Sequence, residues 1–292
     1  MIRKASHAGS WYPGKRESLI KEIESYFLDD KFGPGKLPES LNLEARSITG
    51  AVSPHAGYFF SGRCAAFTYL NLFKERIPDT VIVLGTDHVG YGSVALLRDG
   101  EWETPLGNLN IDTELSQKIL SKSDIIVDDS SAFTGFMEQE HNIEIQLPFI
   151  KYCAKDKDVR IVTIKISGRK DYSMFEVLAS DIAASIKALN KDVVIVASSD
   201  MSHKNVSTSE QLDQFKKIDQ AVINAFVEFD PKKTLLNASK TTVCGAQTIT
   251  TLMLICKNLD CNHGKLLKYY TSSDVRGEFG YCVGYFSGIL MR

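Results

Sequence analysis

The sequence lacks the features that mark membrane-spanning and secreted proteins. No apolar run approaches the ~18 residues that a membrane-spanning helix needs. The first seven residues have a basic pair but no apolar core after it, so we expect no signal peptide. The six cysteines are sparse for 292 residues and none forms a C-x-x-C pair, which argues against a disulfide framework or a zinc ribbon. These absences predict a cytoplasmic protein with reduced cysteines.

An excess of charge of one sign is also missing. The chain has 34 Lys and Arg against 36 Asp and Glu, which gives a net charge of −2. A surface for nucleic acid or for an anionic membrane needs concentrated positive charge, usually in clusters along one face. We therefore expect neither a nucleic-acid nor a membrane partner.

Two widespread types of catalytic motif are absent as well. The sequence has no P-loop and no G-x-G-x-x-G, so nucleotide binding has no support. It also has no G-x-S-x-G elbow, which is the usual mark of a serine hydrolase on an α/β fold. A Ser-His-Asp hydrolase using Ser61, Ser198 or Ser199 is nevertheless a competing chemistry.

What the sequence does contain is a regular alternation of strands and helices. Three continuous apolar runs predict buried strands: 48–52, 80–84 and 193–197. Amphipathic patterns between and after them predict helices. The alternation continues from residue 48 to residue 290 and predicts the α/β class. We expect a single sandwich domain over residues 1–292, built around a mainly parallel central sheet.

Each of the three buried strands is followed by a polar turn that carries histidine. These turns contain Pro54-His55, Asp87-His88 and Asp200 with His203, so three of the six histidines follow strand ends. Parallel strands end at the same edge of a sheet, and ligands bind there in open α/β sheets. Histidines grouped with aspartates, and with the thiol of Cys244, indicate a transition-metal site.

Further candidates lie in two other segments. His141, Glu144 and Pro148 recur at i, i+3 and i+7, which predicts one helical face with a kink or restart at the proline. Trp11 and Tyr58 lie in glycine-punctuated turns and are candidates for stacking on a ligand, although such aromatic residues more often pack in a core.

Taken together, five motifs resemble those of the Memo family, whose prokaryotic members are also named protein B of the AmmeMemoRadiSam gene group. The resemblance runs in order from residue 5 to the C-terminus. It rests on these segments: Ser6-His7-Ala8-Gly9-Ser10-Trp11-Tyr12, Pro54-His55-Ala56-Gly57-Tyr58, Glu140-His141-Asn142-Ile143-Glu144, Ser198-Ser199-Asp200-Met201-Ser202-His203 and Thr242-Val243-Cys244-Gly245.

The resemblance implies a fold similar to that of class III extradiol dioxygenases of the LigB type, an α/β sandwich with an iron site. Carried over motif by motif, it implies that His55, His88 and Cys244 are the metal ligands. It places Asp200 and His203 beside the metal, with His203 similar to an acid/base histidine.

The resemblance leaves His141 and Glu144 with less definite roles. We take His141 as a further catalytic candidate, and we group Glu144 with Trp11 and Tyr58 as substrate-binding. The thiolate stands where the dioxygenases have a carboxylate ligand, so copper as well as iron is a candidate for a mononuclear site.

Two hypotheses follow for the function. The first is a metal-dependent redox protein, related to non-haem iron dioxygenases, that acts on a small molecule in the cleft. The second is a non-enzymatic module that binds a peptide or a partner protein there, since animal Memo proteins are linked to receptor signalling and cell motility. A peptide groove has no need of two histidines and a thiolate, and this favours the first.

Overall fold

The structure is a computed structural model, and it describes residues 1–88, 90–134, 140–167 and 171–292. The strands are β1 (Ile2–Arg3), β2 (Ile48–Ser53), β3 (Thr80–Thr86), β4 (Val94–Leu96), β5 (Glu101–Trp102), β6 (Leu109–Asn110), β7 (Ile126–Asp128), β8 (Arg160–Ile166), β9 (Val193–Ser198), β10 (His203–Val206), β11 (His263–Thr271) and β12 (Gly280–Met291). The α-helices are α1 (Arg16–Leu28), α2 (Tyr58–Lys74), α3 (Thr113–Lys122), α4 (Leu147–Ala154), α5 (Tyr172–Leu189), α6 (Ser209–Val227), α7 (Pro231–Ala238), α8 (Ala246–Asn258) and α9 (Ser272–Arg276). Short 3₁₀ helices cover Ser130–Phe133 and Glu144–Gln146.

A nine-stranded sheet forms the centre of the molecule. Its order is β10-β12-β2-β9-β3-β8-β4-β7, with β11 paired to β12. The four middle strands, β2, β9, β3 and β8, are parallel to one another. Strands β10, β11 and β12 extend one side in antiparallel pairing. The predicted α/β class with a mainly parallel central sheet is confirmed.

Both faces of the sheet are covered, which explains the continuous apolar runs of its middle strands. Successive strand residues point to opposite faces. Val81 and Val83 therefore pack in a cluster with side chains of α1, α2 and α4. Ile82 and Leu84 pack in a second cluster with side chains of α5 and α8. The result is a layered sandwich with a hydrophobic core on each face of the sheet.

Helix α2 begins earlier than its apolar pattern suggested. In the sequence a helical spacing of apolar residues is visible only after Gly62, but the helix starts at Tyr58 and Gly62 lies inside it. A Cβ atom at this position would lie 2.5 Å from ring atoms of Tyr26, so only glycine allows α1 to approach α2 this closely. Within the described ranges, no helix has both the length and the apolar character to cross a membrane.

Candidate metal centre

The carboxyl ends of β2, β3 and β9 bring the three predicted turns together. His55 lies two residues beyond the end of β2, and His88 lies two residues beyond the end of β3. Asp200 stands in the same position after β9. Because β2 and β3 both pair with β9 in parallel, all three turns open on one edge of the sheet.

Three histidines form a cluster at this edge. His55, His88 and His141 each have one ring nitrogen that lies within 4.8 Å of the corresponding nitrogens of the other two residues. Three donor atoms this close together could hold one metal ion. The ring of His141 stacks on that of His88 with centroids 4.7 Å apart, and it lies 5.6 Å from that of His55. Burial, and then the neighbouring His88, lowers the pKa of His141 to about 3. The pKa of His55 is also well below its usual value, chiefly because the ring is buried.

His141 reaches the cluster from an irregular segment and not from a helical face. The 3₁₀ helix begins only at Glu144, and α4 follows at Leu147 with Pro148 in its first turn. The predicted helical face of His141, Glu144 and Pro148 is therefore wrong, because the chain turns before it becomes helical. The irregular path points His141 toward the cleft and Glu144 into the interior.

The thiol of Cys244 lies directly against His55. Its Sγ is 3.2 Å from His55 Nε2 and accepts a hydrogen bond from the amide of Asp200 at 3.2 Å. Burial of the thiol, and then the nearby Asp200 carboxylate, raises the pKa of Cys244 to about 12, although the residue as a whole is partly exposed. A bound cation would displace the thiol proton, because thiolate is the ligating form.

Ser198 fixes the orientation of the His55 ring. Its hydroxyl donates to the carbonyl of Asn142 at 2.7 Å and accepts from Gln146 Nε2 at 2.9 Å. His55 Nδ1 lies 3.0 Å from the same oxygen and must donate to it, because the hydroxyl proton is already used. The lone pair of His55 is then on Nε2, which faces Cys244.

Asp200 and His203 lie on the other side of His55. The Asp200 carboxylate accepts hydrogen bonds from the amides of His55 at 2.8 Å and Ala56 at 3.3 Å. Burial raises the pKa of Asp200 to about 6, although the two amides and His203 oppose the rise. His203 Nε2 lies 4.0 Å from Asp200 Oδ2, and its Nδ1 lies 3.1 Å from the carbonyl of Thr242. An acid and a base are therefore adjacent at the cleft wall.

The cleft in front of the cluster has a volume of about 400 Å³. Trp11 forms part of its wall, with its ring 4.8 Å from that of His141. A cavity of this size admits a small molecule. The lining side chains and backbone belong to Ser10, Trp11, His55, Ala56, Gly57, Phe60, His88, His141, Asp200, His203 and Val283.

The structure does not bring Tyr58 and Glu144 to this wall. Tyr58 is buried, and its hydroxyl donates to the carbonyl of Ile145 while its ring packs on Tyr12 and Phe149. Glu144 is also buried, because its carboxylate pairs with Arg3 at 2.9 Å and accepts hydrogen bonds from the amide of His7 and the hydroxyl of Tyr12. Glu144 therefore anchors the segment that carries Trp11.

Sequence reasoning did not predict that three residues hold the histidines in place. The side chain of Asn142 joins the end of β3 to the histidines. Its Oδ1 accepts a hydrogen bond from the amide of Thr86, and its Nδ2 lies 3.1 Å from Nδ1 of His88. Gln146 and Ser198 orient His55 as described. Asn142 and Gln146 flank Glu144, so the only signal available was their place beside a motif that was already singled out.

The donor set fits a transition-metal ion. Imidazole nitrogens and a thiolate suit iron, copper and zinc, whereas magnesium and calcium prefer oxygen. His55 Nε2 and Cys244 Sγ already face each other, and a 4.8 Å spacing of the imidazole nitrogens is within the reach of small side-chain rotations. The described residues thus contain a histidine-rich group that can hold a metal ion.

Comparison with known proteins identifies the family. The model of the family described as Memo-like protein matches residues 3–289. A MEMO1 family protein of Methanobrevibacter smithii is 36% identical over 293 residues, covering 99% of each chain. One from Methanopyrus kandleri is 35% identical over 295 residues, covering 100% of each, and one from Thermotoga maritima is 34% identical over 296 residues, covering 99% of this chain and 100% of its own.

A solved structure supports the fold independently. An uncharacterized protein of Escherichia coli K12 superposes with a TM-score of 0.51 at 11% identity, covering 82% of this chain and 99% of the other. Such a low identity speaks for a shared fold alone. The family match and the curated relatives, however, both span nearly the whole chain, and this chain belongs to the Memo family.

Proposed function

We propose that this chain is a metal-dependent redox protein whose front cleft takes a small molecule. His55, His88 and Cys244 would hold one iron or copper ion, and His141 stands beside them as a further donor or proton-transfer group. The observation that carries the proposal is the group of ring nitrogens of His55, His88 and His141, all within 4.8 Å of one another, with Cys244 Sγ beside it at 3.2 Å from His55 Nε2. When bound, iron or copper supplies one-electron redox chemistry to a molecule in the cleft.

The chain's own residues would contribute in three ways. The Asp200 amide donates a hydrogen bond to Cys244 Sγ, which favours the thiolate once its proton is displaced. His203 Nε2 and the Asp200 carboxylate, 4.0 Å apart, can pass a proton between them and a substrate at the cleft wall. Trp11 covers the cleft beside His141 and would exclude water from the reacting molecule.

The test is metal analysis of protein purified without oxygen, followed by anaerobic titration of Fe(II) and Cu(I). The wild type is compared with Cys244→Ser, Cys244→Asp and His141→Asn. If the thiolate is a ligand, Cys244→Ser weakens Cu(I) binding much more than Cys244→Asp weakens Fe(II) binding. If the three imidazoles alone hold the ion, His141→Asn is the damaging change and Cys244→Ser has little effect. Equal affinities in all four proteins would leave the redox proposal without a physical basis.

A role for His203 in proton transfer has its own test. We expect His203→Ala to keep nearly the full metal content and to lower any turnover by about 10²–10⁴, which is the usual contribution of a positioned acid or base. Loss of metal with unchanged activity per bound ion would show instead that His203 is a ligand.

One observation favours the alternative, a cleft that binds a peptide without turnover. Tyr281 is 57% exposed, and its ring lies 6.5 Å from that of His203 beside the cleft. An exposed aromatic ring at the edge of an apolar cleft is typical of a recognition surface. Peptide binding that is unaffected by metal removal and lost in Tyr281→Ala would support this alternative.

A further inference from the structure

His203 is joined to the segment that precedes α8 by three hydrogen bonds with a single residue, Thr242. The amide of His203 donates to Thr242 Oγ1 at 2.6 Å, and this hydroxyl donates in turn to the carbonyl of His203 at 2.8 Å. The ring completes the set, because its Nδ1 lies 3.1 Å from the carbonyl oxygen of Thr242. The two residues are 39 positions apart in the sequence, so the contact connects two separate motifs.

The bond to the ring determines which nitrogen of His203 is basic. A carbonyl oxygen can only accept, so Nδ1 must carry a proton and donate it. In the neutral ring the lone pair is then on Nε2. Nε2 lies 4.0 Å from Oδ2 of Asp200, and both residues line the front cleft. Thr242 therefore directs the basic nitrogen of His203 toward Asp200 and the cleft.

The turn that carries His203 is held by other contacts as well. The amide of Ser202 donates to the buried carboxylate of Asp219 at 3.0 Å, and the carbonyl of Ser202 accepts from the amide of Gly284 at 3.0 Å. From His203 onward, β10 pairs with β12. Loss of the Thr242 hydroxyl should therefore leave the path of this turn in place and act mainly on the ring.

The hydroxyl of Thr242 also fixes the position of its own carbonyl. It bonds to both backbone polar groups of His203, so Thr242 cannot move along β10 without breaking two hydrogen bonds. The residue is exposed and lies in the irregular segment between α7 and α8. Substitutions at exposed positions usually alter stability little. The contact therefore matters more for the orientation of the ring than for the stability of the fold.

We propose that Thr242 is a positioning residue for proton transfer by His203. Its hydroxyl keeps its carbonyl against Nδ1, so that Nε2 is the nitrogen that exchanges protons with a molecule in the front cleft. The inference rests on the proposed function, in which His203 acts as acid and base. It gives the Thr242-Val243-Cys244-Gly245 motif a second role, since the segment that carries the thiol also orients the imidazole.

The test is ¹⁵N NMR of the His203 ring in full-length, metal-free protein. Spectra are recorded in alkaline buffer, where ordinary imidazoles are neutral, and His203→Gln identifies the signals. Thr242→Val keeps the side-chain shape and removes the hydroxyl, whereas Thr242→Ser keeps the hydroxyl. Thr241→Val is the matched control, because the Thr241 hydroxyl donates to the carbonyl of Ala238 and accepts from the amide of Val243.

We expect the wild type, Thr242→Ser and Thr241→Val to show a protonated Nδ1 and a bare Nε2, with widely separated shifts. In Thr242→Val the separation should fall at least about twofold, because a released neutral ring exchanges between its two tautomers. Its affinity for Fe(II) should stay close to that of the wild type, since no candidate ligand is changed. Any turnover should fall about tenfold to a hundredfold in Thr242→Val alone, as misplacement of a reacting group predicts.

Two results would overturn the proposal. If Nδ1 stays fully protonated in Thr242→Val, the ring is held without the hydroxyl. If Thr242→Ser or Thr241→Val releases the ring as far as Thr242→Val does, the cause is a general loosening of the segment. A wild type that binds no metal and shows no turnover, with the expected shifts, would overturn the proposed function and leave the orientation of the ring established. Circular dichroism checks that each variant is folded.

Discussion

The two ends of the parallel strands use polar side chains in opposite ways. At the amino end, Arg46 precedes β2 and Asp192 precedes β9, and the two form a double ion pair at 2.7 and 2.8 Å. The same guanidinium donates to the carbonyls of Leu72 and Arg76. At the carboxyl end, the imidazoles of His55, His88 and His141 pack against one another.

The ion pair at the amino end stabilises the fold, whereas the ionisable side chains at the carboxyl end are available to bind a ligand or to react. Opposite charges that neutralise each other lower the energy of the folded chain and leave little for a ligand to bind. Burial lowers the pKa of His141 and raises that of Asp200, and such shifts cluster at functional sites.

The largest expected effect is on metal affinity in His55→Ala. A structural metal ion is held by ~10–16 kcal/mol shared among about four ligands, so loss of one should weaken binding about a hundredfold to nearly a thousandfold. Isothermal titration with Fe(II) measures it, and the exposed His263, replaced by alanine, is the control. His55 is buried, so the variant should also lose some stability, and circular dichroism checks that it is folded. A folded His55→Ala protein that binds metal normally would exclude His55 as a ligand.

The matching change at the amino end is Arg46→Met, which should act on stability and leave the metal centre unaffected. Arg46 and Asp192 are 6% and 13% exposed, so the variant leaves a mostly buried carboxylate, whose remaining charged partner among the described residues is Arg76. We expect a loss of about 3 kcal/mol in the free energy of unfolding, measured by urea denaturation. Arg46→Lys keeps the charge without the double hydrogen bond and should lose less. A change in metal affinity in either variant would contradict the separation of the two ends.

A smaller effect is expected for Ser198→Ala at the carboxyl end. The variant removes the oxygen that accepts from His55 Nδ1 and keeps every metal-ligand candidate. Loss of such an orienting contact usually costs about tenfold to a hundredfold in metal affinity. Titration as for His55→Ala measures it, with Ser185→Ala as the control, since that serine is also buried but donates to the carbonyl of Asp181 within α5. Affinity equal to that of the wild type would mean that the ring is held by its packing alone.

The smallest effect is a pH-dependent one at the amino end. Burial would raise the pKa of Asp112, but hydrogen bonds from Lys191 and Thr80 outweigh it and hold the pKa below its ordinary value. A lowered pKa stabilises the fold above about pH 4, where the unfolded carboxyl is ionised, and this contribution disappears as the pH falls through the folded pKa. Asp112→Asn should lose about 1–2 kcal/mol at pH 7, and its difference from the wild type should vanish in acid.

The control for Asp112 contacts the same lysine. Glu114 lies 2.7 Å from Lys191 but is 64% exposed, so Glu114→Gln should alter stability very little at any pH. Urea denaturation between pH 3 and pH 7 compares the two variants. Equal losses in both would show that burial does not decide which ion pair matters.

Local patterns in the sequence predicted most of the fold. Strands β2, β3 and β9 were visible as apolar runs, because burial on both faces removes polar residues from them. Asp112 and Asp230 cap α3 and α7 as expected of aspartate before a helix. Strand β10 was not predicted, because His203–Val206 becomes a strand only by pairing with β12, some 80 residues later.

The candidate site was predictable only where it follows strand ends. His55, His88 and Asp200 follow from the topology of parallel strands. The position of His141 beside them depends on an irregular segment whose path is set by the packing of Glu144 and Asn142, and no periodicity encodes it. For Tyr58 the error is the opposite one. The sequence placed it in a turn beside the site, but it is the first residue of α2 and is buried in the core.

The contacts of Glu144 with the segment before α1 determine when that segment can fold during synthesis. Arg3, Ser6 and His7 contact Glu144 across 137 to 141 positions of sequence. These residues leave the ribosome well before the carboxylate that holds them, which follows about 140 residues later. Such distant contacts form late, because the long loop must close first. Trp11 can therefore cover the front cleft only after Glu144 has been made. Because β9 lies between β2 and β3, His55 and His88 come together later still, once Ser198 has been made, so the cover and the histidine group assemble in the same late stage.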